Sequence, residues 1–194
     1  MSLGKACTIW FTGLPSSGKS TLAVLLEKEI VRRGRNVEVL DGDVVRTNLS
    51  KGLGFSREDR NTNIRRIGFV CHLLSRNETF AISAAISPYE DVREDVREMI
   101  GDFVEIFVDC PLEECIKRDV KGLYKKALAG EIKEFTGISD PYEEPKNAEL
   151  VVKTSEEEPQ ESVKKIVARL EEMGYLSKGN NISEARTVEA VSAL

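Results

Sequence analysis

Short apolar runs alternate along this chain with segments in which apolar residues recur every three or four positions. Uninterrupted apolar runs are typical of strands buried on both faces, whereas the wider spacing is typical of amphipathic helices. Strands are predicted at Cys7–Thr12, Val37–Leu40, Phe80–Ile86, Phe103–Val108 and Glu149–Val152. Helices are predicted at Thr21–Arg33, from Ser56 to beyond Leu74, at Tyr89–Ile100, from Leu112 to about Leu128, and from Pro159 to about Gly174.

The regular alternation of strands and helices predicts the architecture. Strands that are joined through helices form a parallel sheet with right-handed crossovers, and the helices cover both faces. We therefore predict an α/β fold of three layers with about five parallel strands. Residues 130–145 collect glycine, proline, aromatic and charged residues without a period, so a mobile lid is predicted over about 112–145. Residues 1–176 form the predicted domain, and residues 177–194 form a polar, weakly helical tail.

The composition narrows the classes of function. Of the 194 residues, 41% are hydrophobic and 31% charged, which is typical of one globular domain. No apolar run reaches the roughly 18 residues of a membrane span, and a net charge of -5 argues against general nucleic-acid binding.

The first residues lack an apolar signal region, so we expect a cytoplasmic protein. The absence of CxxC spacing favours buried free thiols at Cys7, Cys71, Cys110 and Cys115.

A glycine-rich turn lies between the first predicted strand and the first predicted helix. It fits the pattern GxxxxGK[ST], whose backbone N–H groups surround a phosphate at a helix N-terminus. Lys19 would reach the β- and γ-phosphates, and Ser20 would offer its hydroxyl to Mg²⁺. GTPases, ATPases and small-molecule kinases share this motif, so it leaves the acceptor open. The predicted triphosphate-binding residues are Gly13, Leu14, Pro15, Ser16, Ser17, Gly18, Lys19, Ser20 and Thr21.

Two carboxylates follow the second predicted strand, and a polar, glycine-containing stretch then leads to Ser56. In an open parallel sheet, ligands bind at the carboxyl ends of the strands. One of the two carboxylates could face the magnesium ion through water and the other an acceptor hydroxyl, whose proton it would accept; we expect Asp41 in the first role and Asp43 in the second. The alternative is an Asp-Gly turn that only closes the strand.

Basic residues suggest that the acceptor is an anion. On a helix that begins near Ser56, Arg60, Asn63 and Arg66 share a face, and guanidinium groups bind phosphate or sulfate oxygens through two hydrogen bonds. A solvated charged face would explain this cluster equally well if it stood alone. Further basic and aromatic residues occur at 118–126 and 135–138, where a closing segment could exclude water from bound phosphates.

Several short motifs follow one another along the chain. They are Trp10–Leu14 with the glycine-rich turn, Leu40–Arg46, Leu53–Ser56, Asp59–Arg66, Ile86–Tyr89, Arg118–Tyr124, Gly130–Lys133, Phe135–Ile138 and Asp140–Glu143. Taken together, these motifs resemble the adenylylsulfate kinase family, which phosphorylates the 3′-hydroxyl of adenylyl sulfate (adenosine 5′-phosphosulfate). The resemblance covers about residues 5–176 and implies a P-loop NTPase-type fold, ATP and adenylyl sulfate as substrates, and Mg²⁺ as cofactor.

The resemblance also implies roles for individual residues. It places Arg118 near ATP, and it makes Phe55 and Phe135 the pair that stacks on the acceptor's adenine. The acceptor-binding residues that it implies are Asp43, Arg46, Phe55, Arg60, Asn63, Ile86, Ser87, Lys125, Phe135 and Ile138. We further expect a homodimer, and association with an ATP sulfurylase is left open.

Ser87 lies in the Ile-Ser-Pro-Tyr motif. In this family, the serine of the motif is commonly designated a phosphoserine intermediate. Direct in-line transfer, in which Asp43 receives the proton, needs no covalent step. We favour direct transfer because no histidine or lysine base stands next to Ser87 in the sequence. The predicted catalytic residues are Lys19, Asp43 and Ser87, the last as an active-site residue.

Two other functions fit part of the sequence. Another small-molecule kinase would explain the glycine-rich turn and the lid, but not residues 55–66 together with residues 135–138. A nucleotide-dependent regulatory partner of a sulfurylase would not need to keep Lys19, Asp43 and Arg60.

Overall fold

A parallel sheet of five strands forms the centre of the molecule. The computed structural model describes residues 5–178, apart from the side chains of Asp43, Val44 and Arg46. The strands are β1 (Thr8–Thr12), β2 (Val37–Asp41), β3 (Phe80–Ala84), β4 (Phe103–Asp109) and β5 (Leu150–Lys153). Their order in the sheet is β2-β3-β1-β4-β5, and every neighbouring pair is parallel.

Helices cover both faces of the sheet. They are α1 (Lys19–Arg32), α2 (Gly42–Asn48), α3 (Arg57–Ser75), α4 (Glu90–Ile100), α5 (Leu112–Arg118), α6 (Leu123–Leu128) and α7 (Pro159–Glu172). Apolar residues of α1 and α7 form one core cluster with the sheet, and those of α3 and α4 form another on the opposite face. The predicted three-layer α/β fold is confirmed.

The alternation of side chains along β1 divides the core between these two clusters. Ile9 and Phe11 belong to the cluster with α1 and α7, whereas Trp10 belongs to the cluster with α3 and α4. All of β1 is buried. Because β1 is the central strand, the glycine-rich turn after it stands in the middle of the carboxyl edge of the sheet.

The segment after β2 differs from the prediction. It was expected to be a polar connection, but Gly42–Asn48 forms α2. Asp-Gly-Asp reads as a turn in the sequence, and a helix of two turns is too short to show a clear period. Asp43 and Arg46 therefore lie on a helix that begins directly after β2.

The predicted single helix from Leu112 to about Leu128 is wrong. The chain breaks between α5 and α6 at Asp119, whose φ is 23, and at Gly122, whose φ is 65. The Asp119 carboxylate accepts hydrogen bonds from the backbone N–H groups of Tyr124 and Lys125, and so stabilises the start of α6.

Other expectations can be compared only over the described residues. All four cysteines are buried and none forms a disulfide, as predicted. Among the helices in residues 5–178, none is both long and apolar enough to cross a membrane. Most of the predicted tail, residues 179–194, lies outside the described part of the chain.

Candidate active site

The glycine-rich turn between β1 and α1 forms a compact loop. Gly18 directly precedes α1 and adopts a left-handed conformation with φ 108. Gly13 has φ 150, and a Cβ added there would lie 2.6 Å from the carbonyl oxygen of Val108. Since any side chain at position 13 would collide with β4, the loop can approach this strand only with glycine. The α1 N-terminus then stands behind the loop, which suits a bound phosphate.

Lys19 folds back over this loop. Its ammonium group donates to the carbonyl oxygens of Gly13 and Leu14, at 2.8 and 2.6 Å, and to the Ser17 hydroxyl at 3.3 Å. The residue is only 8% exposed, and this burial lowers the pKa of Lys19 to about 8. Phosphate oxygens would be stronger partners for the buried ammonium group than these carbonyl oxygens are.

Ser20 and Asp41 form a pair of oxygen donors beside the loop. The Ser20 hydroxyl donates to Asp41 Oδ2 at 2.6 Å. Mg²⁺ prefers such oxygen ligands, and it often takes only one or two from the protein and the rest from phosphates and water. The pair therefore fits magnesium. Within residues 5–178, no group of three or more His, Cys, Asp or Glu side chains could hold a metal ion.

Arg118, at the end of α5, contacts the loop from the side of β5. Its guanidinium group donates to the carbonyl oxygen and hydroxyl of Thr154, at 2.6 and 3.2 Å. The Thr154 hydroxyl in turn donates to the Ser17 carbonyl oxygen at 2.6 Å. Sequence reasoning missed Thr154, because only the fold brings the end of β5 next to the loop. Arg118 thus lies beside the glycine-rich turn, and its contact with a nucleotide stays a prediction.

A cavity of about 1040 Å³ joins the glycine-rich turn at residues 13–20, hereafter the phosphate loop, to the predicted lid. This volume is at the upper end of small-molecule sites, so a second substrate has room beside the triphosphate. Of the residues predicted to bind the triphosphate or its magnesium ion, the following line the wall of the cavity: Pro15, Ser16, Gly18, Lys19, Ser20, Thr21, Asp41 and Arg118. From the predicted acceptor site, it includes Phe55, Arg60, Asn63, Ile86, Ser87 and Phe135.

Four predicted acceptor residues are not among the side chains of this wall. Lys125 is exposed on α6, and Ile138 packs against an apolar cluster formed by the lid. The structure therefore does not bring these two side chains to the cavity. The side chains of Asp43 and Arg46 lie outside the described residues, although both positions belong to α2.

Arg60 connects α3 to the lid. Its guanidinium group donates to the Thr136 hydroxyl at 2.5 Å and to the Glu134 carbonyl oxygen, and it lies 3.2 Å from Asp140 Oδ2. The Tyr89 hydroxyl donates to the same Asp140 oxygen at 2.7 Å. The sequence predicted an anion-binding arginine here but gave no sign of its lid partners. A bound anion would have to replace some of these contacts.

The two predicted stacking aromatics differ in exposure. Phe55 is 55% exposed, whereas Phe135 is 9% exposed. Phe135 packs edge-on against Tyr124, with ring centroids 5.0 Å apart. The Tyr124 hydroxyl donates to the Pro15 carbonyl oxygen at 3.0 Å. Tyr124 therefore links the phosphate loop to the aromatic side chain of the lid, a connection that the sequence did not reveal.

Ser87 follows β3 and is turned toward the core. It is 1% exposed, and its hydroxyl accepts a hydrogen bond from the indole N–H of Trp10 at 3.0 Å. Its backbone has φ 41, in the left-handed region. No contact of this hydroxyl with a histidine, lysine or carboxylate is found within the described residues. The contact with Trp10 gives Ser87 a donor and not a base.

Comparisons with known proteins identify the family of this chain. The family model described as Adenylylsulphate kinase matches residues 5–153. The chain belongs to the adenylylsulphate kinase family. An adenylyl-sulfate kinase of Rippkaea orientalis is 61% identical over 171 residues, which cover 88% of this chain and 94% of the relative. One of Picosynechococcus sp. is 58% identical over 173 residues, or 89% of this chain and 98% of the relative.

Solved structures of the adenylylsulphate kinase family agree with this assignment. The Mycobacterium tuberculosis APS kinase, solved in complex with AMPPNP and APS, is 42% identical and has a TM-score of 0.82. The alignment covers 87% of this chain and 99% of that one. The predictions of the family, of the P-loop kinase fold and of a phosphotransferase are confirmed.

Proposed function

We propose that the protein transfers the γ-phosphoryl group of ATP to the 3′-hydroxyl of adenylyl sulfate, giving 3′-phosphoadenylyl sulfate and ADP. One observation carries this proposal: the cavity that begins at Lys19 and Ser20 continues to Phe55 and Arg60. A single space therefore connects a triphosphate-binding loop with the residues that the family resemblance assigns to the acceptor. The identity of about 60% to adenylyl-sulfate kinases supports the same activity.

The donor half would position ATP through the phosphate loop. The loop N–H groups and Lys19 would neutralise the phosphate oxygens, because charge spreads over them during transfer. Ser20 and Asp41 would hold Mg²⁺, which supplies further positive charge at the phosphates. Arg118, fixed by Thr154, would border the nucleotide on the side of β5.

The acceptor half would orient the hydroxyl for attack. We assign to Asp43 the acceptance of the proton of the 3′-hydroxyl, and to Arg46, Arg60 and Asn63 the binding of the phosphosulfate. Phe55 and Phe135 would stack on the adenine. The lid, which Arg60 contacts at Thr136 and Glu134, would cover both substrates and exclude water.

Transfer would be direct, without a phosphoserine. The Ser87 hydroxyl is buried, and its hydrogen-bond partner in the structure is the Trp10 N–H, which is a donor and cannot take the hydroxyl proton. A serine nucleophile needs a base within hydrogen-bond reach. The described surroundings of Ser87 offer an indole N–H instead.

Substitution of Ser87 tests this point. In Ser87→Ala, we expect turnover to stay within about fivefold of wild type, since one hydrogen bond of about 1 kcal/mol is lost. Thermal stability should fall slightly, because the Trp10 N–H loses its acceptor. Steady-state kinetics measures the turnover, and gel analysis after incubation with γ-labelled ATP detects any phosphoenzyme. Thermal denaturation measures the stability. Labelled wild-type enzyme that passes its label to adenylyl sulfate, together with an inactive variant, would overturn direct transfer.

Substitution of Arg60 tests the acceptor site. In Arg60→Ala, we expect the affinity for adenylyl sulfate to fall by about 2–4 kcal/mol, as for the loss of a charged partner. Equilibrium dialysis of adenylyl sulfate in the presence of ADP measures this affinity. Arg76→Ala, which changes an exposed arginine at the other end of α3, is the matched control. An unchanged dissociation constant would remove Arg60 from the site.

We propose that the purified chain forms a homodimer, and an ATP sulfurylase is the further partner to test. A family member from Thiobacillus denitrificans is described as hexameric, and one from Sorangium cellulosum as a bifunctional SAT/APS kinase. Light scattering after gel filtration would give the mass of the assembly directly.

The regiochemistry can be tested with a modified acceptor. Adenylyl sulfate should yield ADP together with a product one phosphoryl group heavier by mass spectrometry. The 3′-deoxy analogue should give no ADP above the background of ATP hydrolysis. Phosphorylation of this analogue would place the transfer on another hydroxyl and contradict the proposal.

A further inference from the structure

A buried ion pair lies beneath the loop that follows β3. Arg93 of α4 and Glu105 of β4 are each 1% exposed, and Arg93 Nε lies 2.9 Å from Glu105 Oε1. Arg97 approaches the other Glu105 oxygen at 2.9 Å and also pairs with Glu149 at 2.6 Å. Buried ion pairs often add little to stability compared with apolar residues of the same volume. A contribution to stability is therefore a weak explanation for this buried pair, and the other two nitrogens of Arg93, Nη1 and Nη2, point to a different role.

The two terminal nitrogens of Arg93 reach two different segments of the active site. Nη1 donates to the Ser87 carbonyl oxygen at 2.8 Å, and Nη2 donates to the Glu143 carbonyl oxygen at 2.8 Å. Ser87 belongs to the wall of the cavity, whereas Glu143 lies at the C-terminal end of the lid. A planar guanidinium group fixes the distance between two such acceptors, which a lysine could not do.

The first of these contacts fixes the shape of the wall. Ser87 has φ 41, a conformation that a non-glycine residue keeps only when its surroundings enforce it. Trp10 holds its hydroxyl, Arg93 holds its carbonyl oxygen, and Thr12 donates to the neighbouring Ile86 carbonyl oxygen at 2.8 Å. The positions of Ile86 and Ser87 in the cavity therefore depend in part on Arg93.

The second contact fixes the end of the lid. The Glu143 N–H donates to the Pro88 carbonyl oxygen at 2.8 Å, and the Glu143 carboxylate accepts from the Glu90 N–H at 2.7 Å. The adjacent Tyr142 hydroxyl lies 2.9 Å from the Thr12 hydroxyl. The lid is thus attached at 142–143 to the same loop that forms the acceptor wall.

We infer that Arg93 is a positioning residue for the acceptor: held by Glu105, it keeps the Ile86–Ser87 wall and the end of the lid in one arrangement, and adenylyl sulfate binds between them. This inference rests on the proposed function. It predicts that loss of Arg93 weakens binding of the acceptor and spares binding of the donor, because the hydrogen bonds that Ser87 and Glu143 make within the described residues go to Trp10, Thr12, Pro88, Glu90 and Arg93 and to none of residues 13–20. A purely structural role would affect both substrates or neither.

The test replaces the pair without leaving a buried charge. Arg93→Met combined with Glu105→Leu removes both partners, and Arg97 keeps Glu149. We expect the KM for adenylyl sulfate to rise about tenfold or more, as for a misplaced site wall, with ADP affinity within about twofold. Arg93→Lys keeps the charge beside Glu105 and is used if the double variant fails to fold. It should likewise raise the KM for adenylyl sulfate and leave the affinity for ADP within about twofold.

The controls separate this inference from the proposed function. Wild-type activity on adenylyl sulfate tests the proposed function alone. Arg169→Gln with Glu172→Gln removes an exposed ion pair on α7 and should leave both KM values unchanged. Parallel changes in the affinities for both substrates, or no change in either, in the folded Arg93 variants would overturn the positioning role.

Discussion

Replacing Lys19 with alanine is expected to lower turnover about 100- to 1000-fold, the loss seen when a charge-stabilising donor is removed from an active site. Lys19 is the buried cation of the phosphate loop, and its ammonium group is held by the carbonyl oxygens of Gly13 and Leu14. Burial lowers its pKa to about 8, so near neutral pH it is still largely protonated. Phosphoryl transfer is catalysed mainly by positioning and by charge of this kind. Its removal should therefore affect the chemical step most.

Coupled measurement of ADP release under saturating substrates would give this loss of turnover. Lys28→Ala removes an exposed lysine from the same helix and is the matched control. Circular dichroism should show both variants folded. If Lys19→Ala retained turnover within about threefold of wild type, Lys19 could not be the cation that stabilises the transferred phosphoryl group.

Asp43→Asn is expected to lower turnover about 100-fold or more, with a smaller effect on the KM for adenylyl sulfate. A positioned base contributes about 100- to 10,000-fold to a transfer from a hydroxyl group. Asp43 lies on α2, directly after β2, at the edge of the sheet where the phosphate loop stands. Asparagine keeps the size and polarity of the side chain but cannot accept the proton.

The same change at Asp41 separates the two carboxylates. Asp41 bonds to Ser20, so Asp41→Asn should raise the Mg²⁺ concentration needed for half-maximal activity. Asp43→Asn should leave that concentration unchanged. Normal turnover in Asp43→Asn would exclude this residue as the base.

Much of the fold could be predicted because it depends on local patterns. The strands around β1 are short apolar runs, and α7 begins at Pro159 with a capping box at Glu158 and Glu161. The break between α5 and α6 was not predictable in this way. It depends on Asp119, whose carboxylate caps α6, and apolar periodicity carries no sign of that contact.

In the candidate site too, contiguous residues were predictable from the sequence and contacts between distant segments were not. The phosphate loop was predictable because its residues are contiguous and the pattern has a known mechanism. The lid partners of Arg60 lie more than 70 positions away, and the partners of Arg93 come from the loop after β3, the lid and β4. Contacts of this kind follow from the order of strands in the sheet and from the path of the lid, which a single sequence does not contain.

Selectivity among acceptors shows whether the protein phosphorylates adenylyl sulfate in preference to other small molecules. The measurement is kcat/KM from ADP release by the purified protein with ATP and Mg²⁺, using adenylyl sulfate, AMP and gluconate in turn. We expect phosphorylation of adenylyl sulfate, and values of kcat/KM at least about 100-fold lower for AMP and gluconate, since Arg60 and its neighbours would lose the sulfate as a charged partner. Efficient phosphorylation of AMP or gluconate with no reaction of adenylyl sulfate would contradict this expectation.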